Sequence, residues 1–200
     1  MISAGRNIVI ALPPEAKPLI RTFELKRLQP ATRPPVYTGR DMALVVSGAG
    51  EKAVRESVNL LHNLNRHPSP YWYNLGIAGH ADLPVGTLLT INQVTDQKTK
   101  KRWILPIQPV ATVPGCNLVT VETAVDDYPG SAAYDMEAAG FTGAVSQFAG
   151  LEQIRIIKIV SDNQTNSHRR ISGKMVSALI QAKIDIIELL LSGPVNIVEL

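Results

Sequence analysis

Residues 42–65 read MALVVSGAGEKAVRESVNLLHNLN, and the physical character of the chain changes twice along them. Met42 to Ser47 is an unbroken apolar, β-rich run, the pattern of a strand buried on both faces. Gly48 and Gly50 then supply a turn. From Lys52 to Asn65 the apolar residues Ala53, Val58, Leu61 and Leu64 mark one face of a helix. The stretch is a strand, turn and helix unit.

Upstream, Asn7 to Leu12 is a second compact apolar run, stopped by Pro13 and Pro14. Helical spacing of Leu19, Phe23 and Leu28 predicts a helix over Glu15 to Leu28, with Pro18 tolerable near its first turn. Pro30 to Pro35 is expected as a loop. Downstream, His67 to Pro70 breaks the helix before a third strand, Tyr71 to Leu75, which runs into a small-residue turn at Gly76, Ile77, Ala78 and Gly79. Alternating strands and helices predict a mainly parallel sheet with right-handed crossovers and helices on both faces. The expectation is therefore one doubly wound α/β domain over residues 1–200.

Further along, Gly86 to Val94 and Trp103 to Ile107 flank a lysine-rich turn and predict an antiparallel pair. Asn117 to Val121 reads as a strand. Tyr134 to Ala149 is rich in small residues (Ala138, Ala139, Gly140, Gly143, Ala144) and is expected as a closely packed helix. Ile154 to Val160 is a strongly apolar strand. Val176, Ile180, Ile184, Ile187 and Leu191 line one face of a long helix that Gly193 and Pro194 should end.

Composition narrows the function classes. With 45% hydrophobic residues, 18% charged residues and a formal net charge of +3, the 200-residue chain has the balance of a globular protein and not of a disordered one. Its basic residues are dispersed apart from Lys98, Lys100, Lys101 and Arg102, so no nucleic-acid partner is expected. The single Cys116 excludes an internal disulfide and a cysteine-rich zinc site, and fits a reducing, cytoplasmic compartment. MISAGRNIVIAL lacks the length of a membrane-spanning helix and the cleavage site of a signal peptide, so no membrane association is expected.

In open parallel sheets, ligands bind beyond the carboxyl ends of the strands. Glu15 follows the first strand, the Gly76 to Gly79 turn follows the third, Asp162 follows the last in the sequence SDN, and Asp135 and Glu137 precede the small-residue helix. Carboxylates around a glycine-lined floor, without a cysteine or histidine cluster, suit acid catalysis and hydroxyl binding better than metal or nucleophile chemistry. A plainer reading stands beside this one. Glu15, Asp135 and Glu137 would each contribute roughly 0.3–1 kcal/mol merely by complementing helix N-termini, and Asp162 would serve as a cap beside Ser161 and Asn163.

GAGEKA at Gly48 to Ala53 matches part of the dinucleotide fingerprint, but no acid lies about 20 residues onward to hold a ribose. A tight turn that needs glycine accounts for it better. His62, His67, His80 and His168 show no metal-ligand spacing and read as surface or turn residues. Trp72 and Tyr73 read as core.

Taken in order, IVIALPPEA, VVSGAGEKAV, NLGIAGHADLPVGTLLTINQV, YDMEAAGF and KIVSDN resemble the purine nucleoside phosphorylase superfamily, and most closely its methylthioadenosine/S-adenosylhomocysteine nucleosidase branch. The resemblance implies a three-layer sandwich with a central mixed, mostly parallel sheet flanked by helices. It implies cleavage of the N-glycosidic bond of a purine nucleoside. Asp162 then matches the acid acting on the base at N7, with Ser161 positioning it. Glu137 matches the carboxylate that holds the ribose hydroxyls, with Met136 under the sugar. Glu15 matches the residue that orients the attacking water, Ala78 and Gly79 form the floor, and Lys158 stands where an arginine is usual near the nucleophile.

The implied partners are a purine nucleoside and the free purine base, in a homo-oligomer, with no cofactor beyond phosphate as an alternative co-substrate. Ile77 stands where serine is frequent in that branch. The phosphate loop of the phosphorylases is not visible after the first strand, which favours water as the nucleophile. Arg21, Arg40 or the Ser47 to Gly50 turn would have to build a phosphate site if phosphorolysis were the reaction. A nucleoside-binding protein without catalysis is the alternative from another class.

Overall fold

Continuous apolar runs form the middle of the sheet because each faces helices on both sides. The computed structural model describes residues 1–107, 112–125 and 127–192. Strands β1 (Arg6–Ile10), β4 (Met42–Val46), β5 (Tyr71–His80) and β10 (Ile154–Asp162) lie side by side and parallel, in the order β4, β1, β5, β10. Alternate residues divide between two cores. Val9, Val45, Trp72 and Ile156 pack on one face with Val54, Val58 and Leu61 of helix α2 (Glu51–Leu64) and Phe141 of helix α3 (Ala138–Val145). Ile8, Ile10, Leu44, Tyr73 and Ile157 pack on the other with Leu19 of helix α1 (Pro13–Thr22), Ile180 of α4 (Gly173–Ala182) and Ile187 of α5 (Ile184–Leu191). The result is helices, sheet, helices, as expected.

Antiparallel pairings surround this parallel centre. Strands β2 (Lys26–Arg27) and β3 (Val36–Gly39) extend the β4 edge. On the other side β6 (Leu88–Asp96) runs antiparallel to β10 and forms the expected hairpin with β7 (Arg102–Ile104). Strands β8 (Gly115–Thr120) and β9 (Ala133–Asp135) continue parallel to β6, and β9 returns to pair with Gly79 and His80 at the end of β5. The sheet is mixed. That return brings Asp135 next to the end of the central strands.

Several local expectations change in the structure, beginning with the first helix, which ends at Thr22 and not at Leu28 because Lys26–Arg27 pairs with β3. Pro13 and Pro14 not only stop β1 but open α1, where a proline's missing N–H costs nothing and its fixed φ suits the first turn. Pro18 cannot bond the carbonyl of Pro14, and the Ser177 hydroxyl donates to that carbonyl instead at 2.6 Å. Gly76 to Gly79 is strand and not turn, because β10 pairs with it residue by residue from Lys158↔Gly76 to Val160↔Ala78. The small-residue segment is part strand: Ala133–Asp135 joins the sheet, and helix begins only at Ala138, whose N–H donates to Asp135 Oδ2 at 2.9 Å.

The long C-terminal helix is two helices that meet at Lys183, although Val176, Ile180, Ile184, Ile187 and Leu191 keep one buried face. The stop expected at Gly193 and Pro194 lies outside the described residues. Trp72 and Tyr73 are core, as read. Among the described residues no helix is long and apolar enough to cross a membrane.

Candidate active site

Strand ends, the α1 N-terminus and the β9–α3 corner enclose one cavity of about 400 Å³, within the range that holds small organic ligands. Glu15, Ala78, Gly79, Met136, Glu137, Ser161 and Asp162, all expected at a site from the sequence, line it. Its remaining wall is largely apolar, with Leu12, Val121, Ile171 and Val176.

Glu15 sits in the first turn of α1, and its carboxylate bridges two segments. Oε2 accepts from the Leu12 N–H at 2.8 Å and Oε1 from the Ile77 N–H at 2.9 Å. Glycine at 76 leaves room for it, since a Cβ there would lie 2.8 Å from Glu15 Oε1. Burial pushes the Glu15 carboxyl up to about 7, against the pull of the two backbone N–H groups and of Lys158.

Glu137 precedes α3. Its Oε1 accepts from the Gly50 N–H at 2.9 Å and its Oε2 from the Met136 N–H at 3.3 Å. Gly50 has φ of +92°, a backbone conformation that glycine adopts without strain. The GAGEKA turn therefore gives a carboxylate a backbone donor. Burial raises the Glu137 carboxyl above its ordinary range, and nearby Asp135 adds to this while Lys158 opposes it.

Lys158 departs from the expectation. Its side chain is 1% exposed, lies behind the cavity wall and pairs with Asp135 Oδ2 at 2.8 Å. Burial alone would lower the ammonium pKa, but the Asp135 and Glu137 charges outweigh it and hold the group above its usual value. Asp135 also accepts from the Thr120 hydroxyl at 2.8 Å and from Ala138 N–H. It is thus the counterion of Lys158 and the anchor of α3, and Lys158 acts on Glu15 and Glu137 through its field.

At the opposite end, Asp162 closes β10. Its Oδ1 accepts from the Ser161 hydroxyl and its Oδ2 from the Tyr128 hydroxyl. Tyr128 was not singled out by the sequence, and nothing in its loop would have marked it. Lys158 did carry a signal, since a lysine between isoleucines in a buried strand requires an acid beside it. His80 is structural: its Nδ1 accepts from the N–H groups of Asp82 and Leu83 at 3.1 and 3.2 Å, which places its proton on Nε2, facing the Ser131 carbonyl at 3.2 Å. His168 lines the cavity, whereas His62 stacks on Phe148.

No family model matches the chain, and no curated protein matches it in sequence. Solved structures do match it. The Campylobacter jejuni 5′-methylthioadenosine/S-adenosylhomocysteine nucleosidase superposes with a TM-score of 0.75 at 13% identity, over 92% of this chain and 97% of that one. This chain has the nucleosidase fold. The Colwellia psychrerythraea nucleosidase, solved with adenine, gives 0.73 at 19% identity over 94% and 93% of the two chains. The Streptococcus pneumoniae enzyme, solved with a transition-state inhibitor, gives 0.68 at 16% over 90% and 98%. The nucleosidase fold accounts for the sheet and for the flanking helices over nearly the whole chain.

Proposed function

We propose that this protein hydrolyses the N-glycosidic bond of a purine nucleoside in this cavity, with the methylthioadenosine or adenosine type as substrate. The observation that carries the reading is the convergence of Glu15, Glu137 and Asp162 from three distant parts of the sequence on one cavity, within a fold shared with nucleosidases solved with adenine and with a transition-state inhibitor.

In this reading the base lies at the Asp162 end and the sugar lies towards Glu137 and Glu15. Asp162 hydrogen-bonds the purine at N7 and gives up its own proton there, so that the base leaves as a neutral molecule when the bond from C1′ to N9 breaks and Asp162 is left as the carboxylate. Positive charge develops on the sugar, and the carboxylates of Glu137 and Glu15 stabilise it in a water-poor site. Glu137 accepts from the ribose hydroxyls, each such charge-assisted bond contributing roughly 1.5–3 kcal/mol. Glu15 orients the water that attacks C1′ and takes its proton, a role suited to a carboxyl near pH 7. Met136 and the Ala78–Gly79 backbone pack against the ligand.

Two placements favour water over phosphate. The described residues lining the cavity include several carboxylates and no lysine or arginine, so a phosphate dianion would meet repulsion with no lysine or arginine to offset it. Arg21 is engaged with Gln181, and Arg40 with Glu24 at 3.5 Å, both away from the cavity.

Incubation with methylthioadenosine, adenosine and inosine, with and without phosphate, tests the proposal. Free base released without phosphate is the expected result. A strict phosphate requirement would replace hydrolysis by phosphorolysis, and tight binding without turnover would leave a binding protein.

A further inference from the structure

We propose that the Tyr128 phenol stands in the base subsite of the cavity, and that a purine binds by displacing it from Asp162. The inference rests on the functional reading above and adds a competitor that the reading does not contain.

Two contacts place the ring. The phenol hydroxyl donates to Asp162 Oδ2, while Ser161 holds Oδ1, so side-chain hydroxyls engage both oxygens of the acid. The ring edge also lies directly against the floor: a Cβ added at Gly79 would stand 2.5 Å from Tyr128 Cε1, Cζ and Oη. Gly79 and Asp162 are register partners in adjacent strands β5 and β10. The ring therefore fills the angle between the floor and the acid. A flat heterocycle that is to meet both must take the same volume.

The phenol resembles a base in being planar with one hydrogen-bond donor at its edge. It is held by packing as well. Tyr128 is 3% exposed and clusters with Ala81, Val121 and Tyr134, its ring centroid 5.4 Å from that of Tyr134. The Tyr128 hydroxyl gives the buried Asp162 side chain a hydrogen-bond partner. It also sets a threshold. A ligand must first break the hydrogen bond between Tyr128 and Asp162, a loss of about tenfold in affinity. Only ligands that make up this loss at Asp162 and Gly79 will enter, so Tyr128 acts as a specificity determinant.

Calorimetric titration with adenine, on wild type, Tyr128→Phe and Tyr128→Ala, tests this. Tyr128→Phe keeps the ring packing and removes only the hydroxyl, and it should bind adenine at least about tenfold more tightly than wild type. Tyr128→Ala, which opens the volume, should gain as well. In wild type, adenine should shift the ring resonances of Tyr128, assigned by their loss in Tyr128→Phe. If all three proteins bind adenine equally, or the variants bind it more weakly, the displacement idea is overturned while the function proposed above stands. If neither wild type nor a Tyr128→Ala variant shown to be folded by circular dichroism takes up adenine, the volume is not a base subsite, and both readings fall together.

Discussion

The two ends of the cavity hold their carboxylates by different means. Glu15 and Glu137 accept from main-chain N–H groups of Leu12, Ile77, Gly50 and Met136. Asp162 accepts from two side-chain hydroxyls, those of Ser161 and Tyr128. A backbone donor cannot turn away without moving a strand or a helix, whereas a hydroxyl leaves by a side-chain rotation. The first kind of grip is fixed before any ligand arrives and the second is exchangeable, which on the reading proposed above would keep the sugar-side charges in place while a base is admitted and released.

The largest expected effect lies at the exchangeable end. Asp162→Asn should lower kcat by roughly 10²–10⁴, the usual contribution of a positioned acid, with nucleoside affinity kept within a few-fold; base release and calorimetry together read both quantities. Unchanged base release would remove Asp162 from the mechanism. At the fixed end the corresponding substitution should damage folding. Lys158→Met leaves Asp135 buried without its counterion, and breaking such a pair costs about 3–5 kcal/mol, readable as a lower denaturation midpoint.

A pH profile sharpens the contrast. A carboxyl pushed up to about 7 is ionised above that pH and protonated below it, and only the ionised form can accept a proton from water. Below pH 7, kcat/KM should therefore fall about tenfold per unit, and this limb should vanish from the residual activity of Glu15→Gln. The smallest effect is expected from Gly76→Ala. Its methyl would stand 2.8 Å from Glu15 Oε1, an overpacking that costs about 1–3 kcal/mol. It should reduce turnover by displacing Glu15 while leaving the Asp162 end intact.

Much of this arrangement could be read from the residues before any coordinates. The runs Asn7 to Leu12, Met42 to Ser47 and Ile154 to Val160 are short, largely apolar and bounded by turn signals, the pattern of a strand covered on two sides. Glu15, Glu137 and Asp162 were visible because each follows or precedes a recognisable element. Less was visible where tertiary pairing overrides local signals. Gly76 to Gly79 has the composition of a turn, and it is strand because β10 runs alongside. The helix break at Lys183 carries no glycine or proline. Asp135 reads as a helix-cap acid like Glu137, and its pairing with Lys158 depends on two strands meeting that no spacing in the sequence relates. Tyr128 sits in a loop, and loops have no periodicity to betray which side chain turns inward.

The grip on Glu15 has a consequence for how this chain can change over time. Every amino acid except proline carries an amide hydrogen, so the donor at position 77 persists whether the residue is isoleucine, as here, or something smaller and polar. Substitution can rewrite the surroundings of such a carboxylate while its anchoring points survive, which is one physical route by which a shared architecture tolerates identities as low as 13%.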